Sequence, residues 1–298
     1  MVCVHENEYE SFDGANGEDV LRHSLRNKVV VISGSSRGIG RELASLMLLR
    51  GAKVVINGID QERLASAYKS LCDISSECMM VTGDISSWEF CVELMSAAVK
   101  RFGGIDFLVN NAAIANRGRF ENVVSDVLER MTTINVLGSI YPTKAALPHL
   151  KRSRGYALFV SSVVSFHGFP FNSMYCATKS ALTAFEQSFN LEYKSEGVGS
   201  GVVYFGFIEN DATKTIYESD GTRIYLGARK GVRTISQRRI GMIMAKILEK
   251  RTRHRVVGAT GRLLRLLSNV APRLVDLYLY RKRAAIQTQS EGPAMRAD

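Results

Sequence analysis

Residues 161–179 read SSVVSFHGFPFNSMYCATK, and within them Ser162, Tyr175 and Lys179 could do chemistry together. Tyr175 precedes Lys179 by four positions, in the run Tyr-Cys-Ala-Thr-Lys-Ser-Ala-Leu-Thr-Ala-Phe, which favours a helix. Residues four apart on a helix share a face. An ammonium beside a phenol stabilises the phenolate. Tyr175 is therefore a candidate proton donor or acceptor near neutral pH. Ser162 follows the apolar run 156–160, which reads as a buried strand. A hydroxyl at a strand end can hydrogen-bond a substrate oxygen. Taken alone, Tyr-x-x-x-Lys also describes a surface tyrosine beside a solvated lysine, so the surrounding elements must decide.

The first of these elements is Val29-Val30-Val31-Ile32, a strand, followed by Ser33-Gly34-Ser35-Ser36-Arg37-Gly38-Ile39-Gly40 and an amphipathic helix over 41–50. A glycine-rich turn between a buried strand and a helix aims backbone N–H groups and the helix dipole at an anion. Gly34 permits the turn, Gly38 leaves room for a pyrophosphate and Gly40 lets helix pack on strand. The spacing is G-x-x-x-G-x-G rather than the commoner G-x-G-x-x-G. The second strand, 53–57, ends where an adenosine ribose normally lies. An acid there would bind the 2′-hydroxyl and select NAD. Here the sequence is Asn57-Gly58-Ile59, with the first acid at Asp60, and Arg37 is placed to pair with a 2′-phosphate. NADP is thus expected over NAD, with Arg63 a second candidate phosphate partner.

Further strands and helices alternate. A helix is expected over 61–71, then a short strand ending at Gly83-Asp84-Ile85. Asp84 could bond an adenine amine or cap the next helix, 88–102; Ser86 and Ser87 are better placed as caps, which favours the adenine role. The fourth strand ends in Asn110-Asn111-Ala112-Ala113, whose amides can satisfy backbone groups across neighbouring strands. One long helix is expected over 123–147. It contains Asn135, a poor helix former, which implies a buried partner for that side chain. A helix from Tyr175 to 193, a sixth strand over 198–205, an amphipathic helix over 240–250 and a short strand near 255–257 complete the pattern. Residues 211–235 read as a mobile, substrate-facing region. The alternation predicts an α/β chain with a single doubly wound parallel sheet, a Rossmann fold, helices on both faces, and a short helical C-terminal extension. The expected organisation is a flexible leader over 1–26, a dinucleotide-binding catalytic unit over 27–258 and an amphipathic extension over 259–298, with 284–298 disordered.

Charge is unevenly distributed along the 298 residues, whose net charge is +10. Residues 1–27 hold six acids and two bases, whereas 213–298 hold 19 bases and six acids. The basicity therefore belongs to the C-terminal third, where it reads as a solvated basic surface or an anion-facing one. In 261–283, leucine-rich runs are broken by Pro272. These two short apolar helices could be buried on the protein, which is the first expectation, pack on a second subunit, or lie on a membrane with arginines facing phosphates. Five cysteines without metal spacing suggest reduced thiols and an intracellular, cytoplasmic protein. No apolar run is long enough to span a bilayer, no secretory signal is visible, and nucleic acid is not an expected partner.

Together, Gly34-x-x-x-Gly38-Ile39-Gly40, Asp84, Asn110-Asn111-Ala112, Asn135, Ser162 and Tyr175-x-x-x-Lys179 resemble the classical short-chain dehydrogenase/reductase family over about residues 27–258. The resemblance implies an NAD(P)-dependent enzyme interconverting a carbonyl and an alcohol. Tyr175 would exchange the proton, Lys179 would hold the nicotinamide ribose and lower the Tyr175 pKa, Ser162 would orient the substrate oxygen, and Asn135 would hold a water linking Lys179 to solvent. The cofactor would contact Gly34, Ser36, Arg37, Gly38, Ile39, Gly40, Asp84, Ile85, Asn110, Tyr175, Lys179 and the Ile208 backbone. It also implies a homo-oligomer. Departures are Ala113 where the family has glycine, Phe205-Gly206 for Pro-Gly, and Asn210 for a frequent threonine. The apolar and aromatic content of 206–235 (Phe207, Ile208, Ile216, Tyr217, Ile224, Tyr225, Leu226) points to a hydrophobic carbonyl or alcohol substrate. A non-catalytic nucleotide-binding regulatory protein on the same fold is the alternative.

Overall fold

The computed structural model describes residues 25–211, 213–226 and 234–290. In chain order they form β1 (Val29–Ile32), α1 (Gly38–Leu49), β2 (Lys53–Gly58), α2 (Gln61–Cys72), β3 (Cys78–Thr82), α3 (Trp88–Phe102) and β4 (Phe107–Asn110). Then come α4 (Ser125–Thr132), a π-helical turn (Thr133–Leu137), α5 (Gly138–Ser153), β5 (Tyr156–Ser162), α6 (Ser173–Tyr193) and β6 (Gly199–Phe205). A hairpin of β7 (Thr215–Tyr217) and β8 (Arg223–Tyr225), then α7 (Gln237–Lys250), β9 (His254–Val256), α8 (Ala259–Val270) and α9 (Pro272–Ser290) follow.

The main sheet has the order β3-β2-β1-β4-β5-β6-β9, with every neighbouring pair parallel. Its strands are apolar on both faces, as a sheet covered on both sides requires. Val30, Ile32, Val54, Ile56, Val109 and Leu158 face one core, covered by α1, α2 and α7. Val31, Val55, Leu108, Ala157, Phe159 and Val202 face the other, covered by α3, α5 and α6. The alternation follows from the two-residue period of a strand. Helix ends follow local chemistry: Asp60 and Ser87 accept from Arg63 N and Phe90 N to cap α2 and α3, and α3 ends at Gly103 in the left-handed region.

Four expectations change. Residues 1–24 of the expected leader lie outside the described residues, but Leu25 is fully buried, so packed structure begins before 27. The single helix expected over 123–147 is three consecutive elements, because a π turn interposes at 133–137 and redirects Asn135. Of the region read as mobile, 213–226 hold an antiparallel hairpin tied to the segment after β4 by Tyr217 N–H donating to Ala115 O and by an Arg117–Glu218 ion pair; 227–233 lie outside the described residues. Ile216 and Ile224 of that hairpin are buried, which makes them packing residues. Residues 284–290, expected to be disordered, continue α9, while 291–298 lie outside the described residues. Among the described residues no helix is long and apolar enough to cross a membrane, and Cys72, Cys78, Cys91 and Cys176 are free thiols.

The edge strand β9 is fastened by the Tyr156 hydroxyl, which donates to Thr252 O at 2.7 Å across the face of Gly201. A Cβ at Gly201 would collide with that hydroxyl and lie 2.5 Å from Thr252 O and 2.6 Å from Arg253 O. Gly201→Ala is expected to lower stability by about 1–3 kcal/mol, the usual cost of overpacking. Urea unfolding should show a reduced midpoint with an unchanged slope.

Candidate active site

Every strand of the first half ends at the same edge of the sheet, so the residues singled out in the sequence converge there although they span the chain. Clefts at the carboxyl ends of parallel strands are where such sheets bind ligands. Gly34 has φ +61°, and a Cβ there would lie 2.7 Å from Ala112 Cα. A Cβ at Gly40 would lie 2.6 Å from Gly34 O and 2.7 Å from Asn111 Nδ2. Both glycines are thus required by close approach of the loop to β4's continuation. Gly38 differs: it has φ +60°, yet a Cβ there would meet only Asp211 Oδ2, at 3.6 Å, so the space beside it is open. That is the room a phosphate group needs, at the first turn of α1. The turn is locked by Asn111, whose Nδ2 donates to Ser33 O and Gly34 O, and by Ser33 Oγ, which accepts from the amides of Asn111 and Ala112.

Past the end of β2, Asp60 caps α2 and pairs with Arg63 at 3.1 Å, while Asn57 Nδ2 donates to Val81 O and Gly83 O. The β2 tip itself thus presents an amide, and the nearest carboxylate, Asp60, is already engaged by Arg63. The Arg37 guanidinium donates to the carbonyl and hydroxyl of Thr213 and lies 3.9 Å from Asp211. Burial pushes its pKa down, Asp211 pulls it up, and the like charges of Arg63 and Arg223 push it down. Three arginines thus share one field around the glycine loop. Asp84 accepts from the amide and hydroxyl of Ser86, so its carboxylate caps its own turn; Ser87, as expected, caps α3. Ile85 is buried against the position of Gly138, beyond the π turn.

Lys179 is 3% exposed, and its Nζ donates to Val160 O at 2.9 Å, while Ser161 Oγ donates to Lys179 O at 3.0 Å. Burial, then the like charge of Lys214, pushes the Lys179 pKa from 10.5 down to about 8. The ammonium lies 5.7 Å from the centre of the Tyr175 ring, one helical turn earlier in α6. The solvated-pair alternative fails on this burial. Ser162 Oγ, at the tip of β5, donates to Phe205 O and accepts from Val164 N. Asn135 is fully buried; its Oδ1 accepts from Ile114 N, and its Nδ2 donates to Ile114 O and Thr178 Oγ1. It is therefore coupled to the residue beside Lys179. Asn110 Nδ2 donates to Thr143 Oγ1, and its buried Oδ1 has no protein partner. Ile208 bridges Ile235 through Phe207 O and Glu209 N, which turns Ile208's own peptide groups away from Ile235.

Sequence reasoning did not find Ser33, Thr178, Asp211, Thr213 or the Val160 carbonyl. They belong to the site through tertiary hydrogen bonds that leave no local pattern.

A family model described as short chain dehydrogenase matches residues 28–221. The chain is 37% identical over 192 residues to the 11-beta-hydroxysteroid dehydrogenase-like 4A of Arabidopsis thaliana, covering 63% of this chain and 64% of that protein. It is 32% identical over 206 residues to the dehydrogenase/reductase SDR family member 7B of Rattus norvegicus, covering 67% and 63%. The chain therefore spans less than two thirds of the length of these curated relatives. Among solved structures, the alcohol dehydrogenase from the archaeon Thermococcus sibiricus, complexed with 5-hydroxy-NADP, superposes with a TM-score of 0.68 at 27% identity, covering 77% of this chain and 94% of that one.

The depressed Lys179 pKa gives a signed expectation. Below about pH 8 the folded and unfolded chains both hold this proton, and the folded state bears the full desolvation cost. Between about 8 and 10.5 the unfolded chain holds a proton the folded one has released, so stability rises with pH. Relative to Lys179→Met, the wild-type chain is expected to gain stability across this window by up to about 3 kcal/mol, from 1.36 kcal/mol per pKa unit. Parallel urea titrations at pH 7 and pH 10 measure the difference; identical pH slopes for the two proteins would refute it.

Proposed function

The chain belongs to the short chain dehydrogenase family, and on that premise we propose that it is an NADP-dependent oxidoreductase interconverting a carbonyl and an alcohol. The observation that carries the proposal is the buried Lys179 ammonium 5.7 Å from the Tyr175 ring, beside Ser162 at the strand tip. When bound, the nicotinamide supplies or accepts the hydride. The chain's own groups handle the proton and the geometry.

Tyr175 donates its phenolic proton to the carbonyl oxygen in reduction and accepts the alcohol proton in oxidation. Lys179 places positive charge by the phenol, which favours the phenolate left behind. It also has N–H donors beyond the one used on Val160 O with which to hold a ribose hydroxyl. Ser162 orients the substrate oxygen by turning its hydroxyl from Phe205 O to the ligand. Asn135, bonded to Ile114 and Thr178, holds the π turn against α6; holding a water that links Lys179 to solvent remains part of its proposed role.

For the cofactor, the open space at Gly38 receives the pyrophosphate, with Gly34, Ser36, Ile39 and Gly40 shaping the cradle. The buried Asn110 Oδ1 and the peptide groups of Ile208 lie on the nicotinamide side of the proposal, and Asp84 and Ile85 on the adenine side, where Asp84 contributes what its bonds to Ser86 leave available. Arg37, with Arg63 and Arg223 in its field, is proposed to meet the 2′-phosphate. The 5-hydroxy-NADP complexed with the Thermococcus sibiricus alcohol dehydrogenase supports this choice over NAD. The 11-beta-hydroxysteroid dehydrogenase names among the plant relatives support a bulky apolar substrate. So do Phe207 and Tyr225, 50% and 38% exposed. The proposed working unit is residues 27–258, self-associating through its long helices.

Two outcomes are expected. Tyr175→Phe should lower kcat with NADPH and an apolar ketone by at least about 10²-fold, the contribution of a positioned acid, while the variant still binds NADPH. Unaltered turnover would sink the catalytic assignment in favour of a nucleotide-binding regulatory role. Arg37→Ala should weaken NADPH by about tenfold or more, as loss of a charged hydrogen bond does, and leave NADH binding almost unchanged; equal losses for both cofactors would exclude the 2′-phosphate contact. Fluorescence titration reads both.

A further inference from the structure

The two C-terminal helices turn their apolar residues the wrong way for a helix that rests on a protein. Leu263, Leu266 and Val270 of α8, spaced as one helical stripe, are 54%, 58% and 74% exposed. Leu274, Leu277 and Tyr278 of α9 are 63%, 45% and 61% exposed. A surface helix ordinarily buries such a stripe. Here the inward contacts are few: Gly261 is buried against Val163 and Val256, and Val275 and Leu279 are buried on α9.

Charge selects what covers this face. Residues 259–290 carry six bases and one acid. Arg262, Arg273, Arg281 and Lys282 are exposed along the same two helices. The acid, Asp276, lies 3.0 Å from His167 and so spends its charge against the body of the protein. A second copy packed symmetrically on the stripe would bring two such basic sets together. An apolar stripe flanked by bases is complementary instead to lipid tails beneath anionic headgroups.

We infer that α8 and α9 dock the protein on an anionic lipid surface, with the leucines in the acyl boundary and the arginines and Lys282 at the phosphates. The docked face lies beside the candidate active site. α8 packs on the residues that directly follow Ser162, and the Arg265 guanidinium lies 5.6 Å from the centre of the Phe166 ring. A lipid-dissolved substrate would therefore reach the site from the surface itself. This consequence rests on the oxidoreductase reading, whereas the docking does not.

The test is co-sedimentation of the full chain with phosphatidylcholine vesicles and with vesicles containing phosphatidylserine at about 30%, in about 50 mM and about 500 mM salt, on either side of the usual screening range. Binding is expected to the anionic vesicles and to fall with salt. Leu266→Glu combined with Leu277→Glu, both at exposed positions, should reduce it by about tenfold or more through lost apolar insertion, with the thermal unfolding transition unchanged. Arg281→Glu with Lys282→Glu should do the same. Absence of binding to anionic vesicles would overturn the inference. So would binding that survives the leucine changes, or a concentration-dependent dimer that the leucine changes dissolve without any lipid binding. Because turnover is not measured, this outcome is separate from that of the enzymatic assignment.

Discussion

The site depends on holding an ammonium out of water. Removing Lys179 from solvent is costly, and the cost appears directly as its lowered pKa. What offsets it is a feature of the sheet. β4 ends opposite Phe159 of β5, while β5 continues to Ser162 alongside β6. The tip of β5 is therefore open on one side, and the Val160 carbonyl there accepts from Lys179 Nζ. The Ser161 hydroxyl takes the Lys179 carbonyl in return. These two bonds fix the register of α6 against β5. Tyr175, one turn earlier on the same helix, is carried into position with Lys179, 5.7 Å from its ammonium.

The same logic runs along the rest of the sheet edge. Parallel strands end together, so each tip presents backbone groups that nothing in the ladder satisfies. Polar side chains that satisfy them become site architecture. Asn111 satisfies Ser33 and Gly34, Asn57 satisfies Val81 and Gly83, and Asn135 satisfies both peptide groups of Ile114. The asparagines thus stitch β1 to β4, β2 to β3, and the π turn to the segment after β4. Gly34 and Gly40 are needed because the stitched backbones approach too closely there for a Cβ.

What was legible in the sequence was what local pattern encodes. Strand positions, the glycine spacing, the Tyr175–Lys179 interval and the need of Asn135 for a buried partner could all be read from neighbours in the chain. The long helix over 123–147 could not be read correctly, because the π turn is accompanied by bonds from Asn135 to Ile114 and Thr178, which are distant in sequence. The apolar residues of 211–235 looked substrate-facing because composition does not reveal that Ile216 and Ile224 pack inside a hairpin. The C-terminal leucines invited the expectation of burial for the same reason: hydrophobicity gives a preference for leaving water, not the surface that receives it.

Arg37 ties the glycine loop to the segment before β7. Its guanidinium holds the Thr213 carbonyl and hydroxyl, and Asp211 in turn accepts from the amide and hydroxyl of Thr213. A 2′-phosphate taking Arg37 would compete with those bonds and would stand near the Asp211 carboxylate, which repels it. On the proposed reading, cofactor entry therefore exchanges an internal contact for an external one and releases the segment that leads into β7. That hairpin is fastened to the residues after β4 through Ala115 and Arg117. On the same reading, the hairpin itself stays fastened through Ala115 and Arg117, while one arginine would serve both the 2′-phosphate and the Thr213 segment. Its intramolecular partners lower the net gain from the phosphate, because what binding contributes is the difference between two charged hydrogen-bond sets rather than the whole of one.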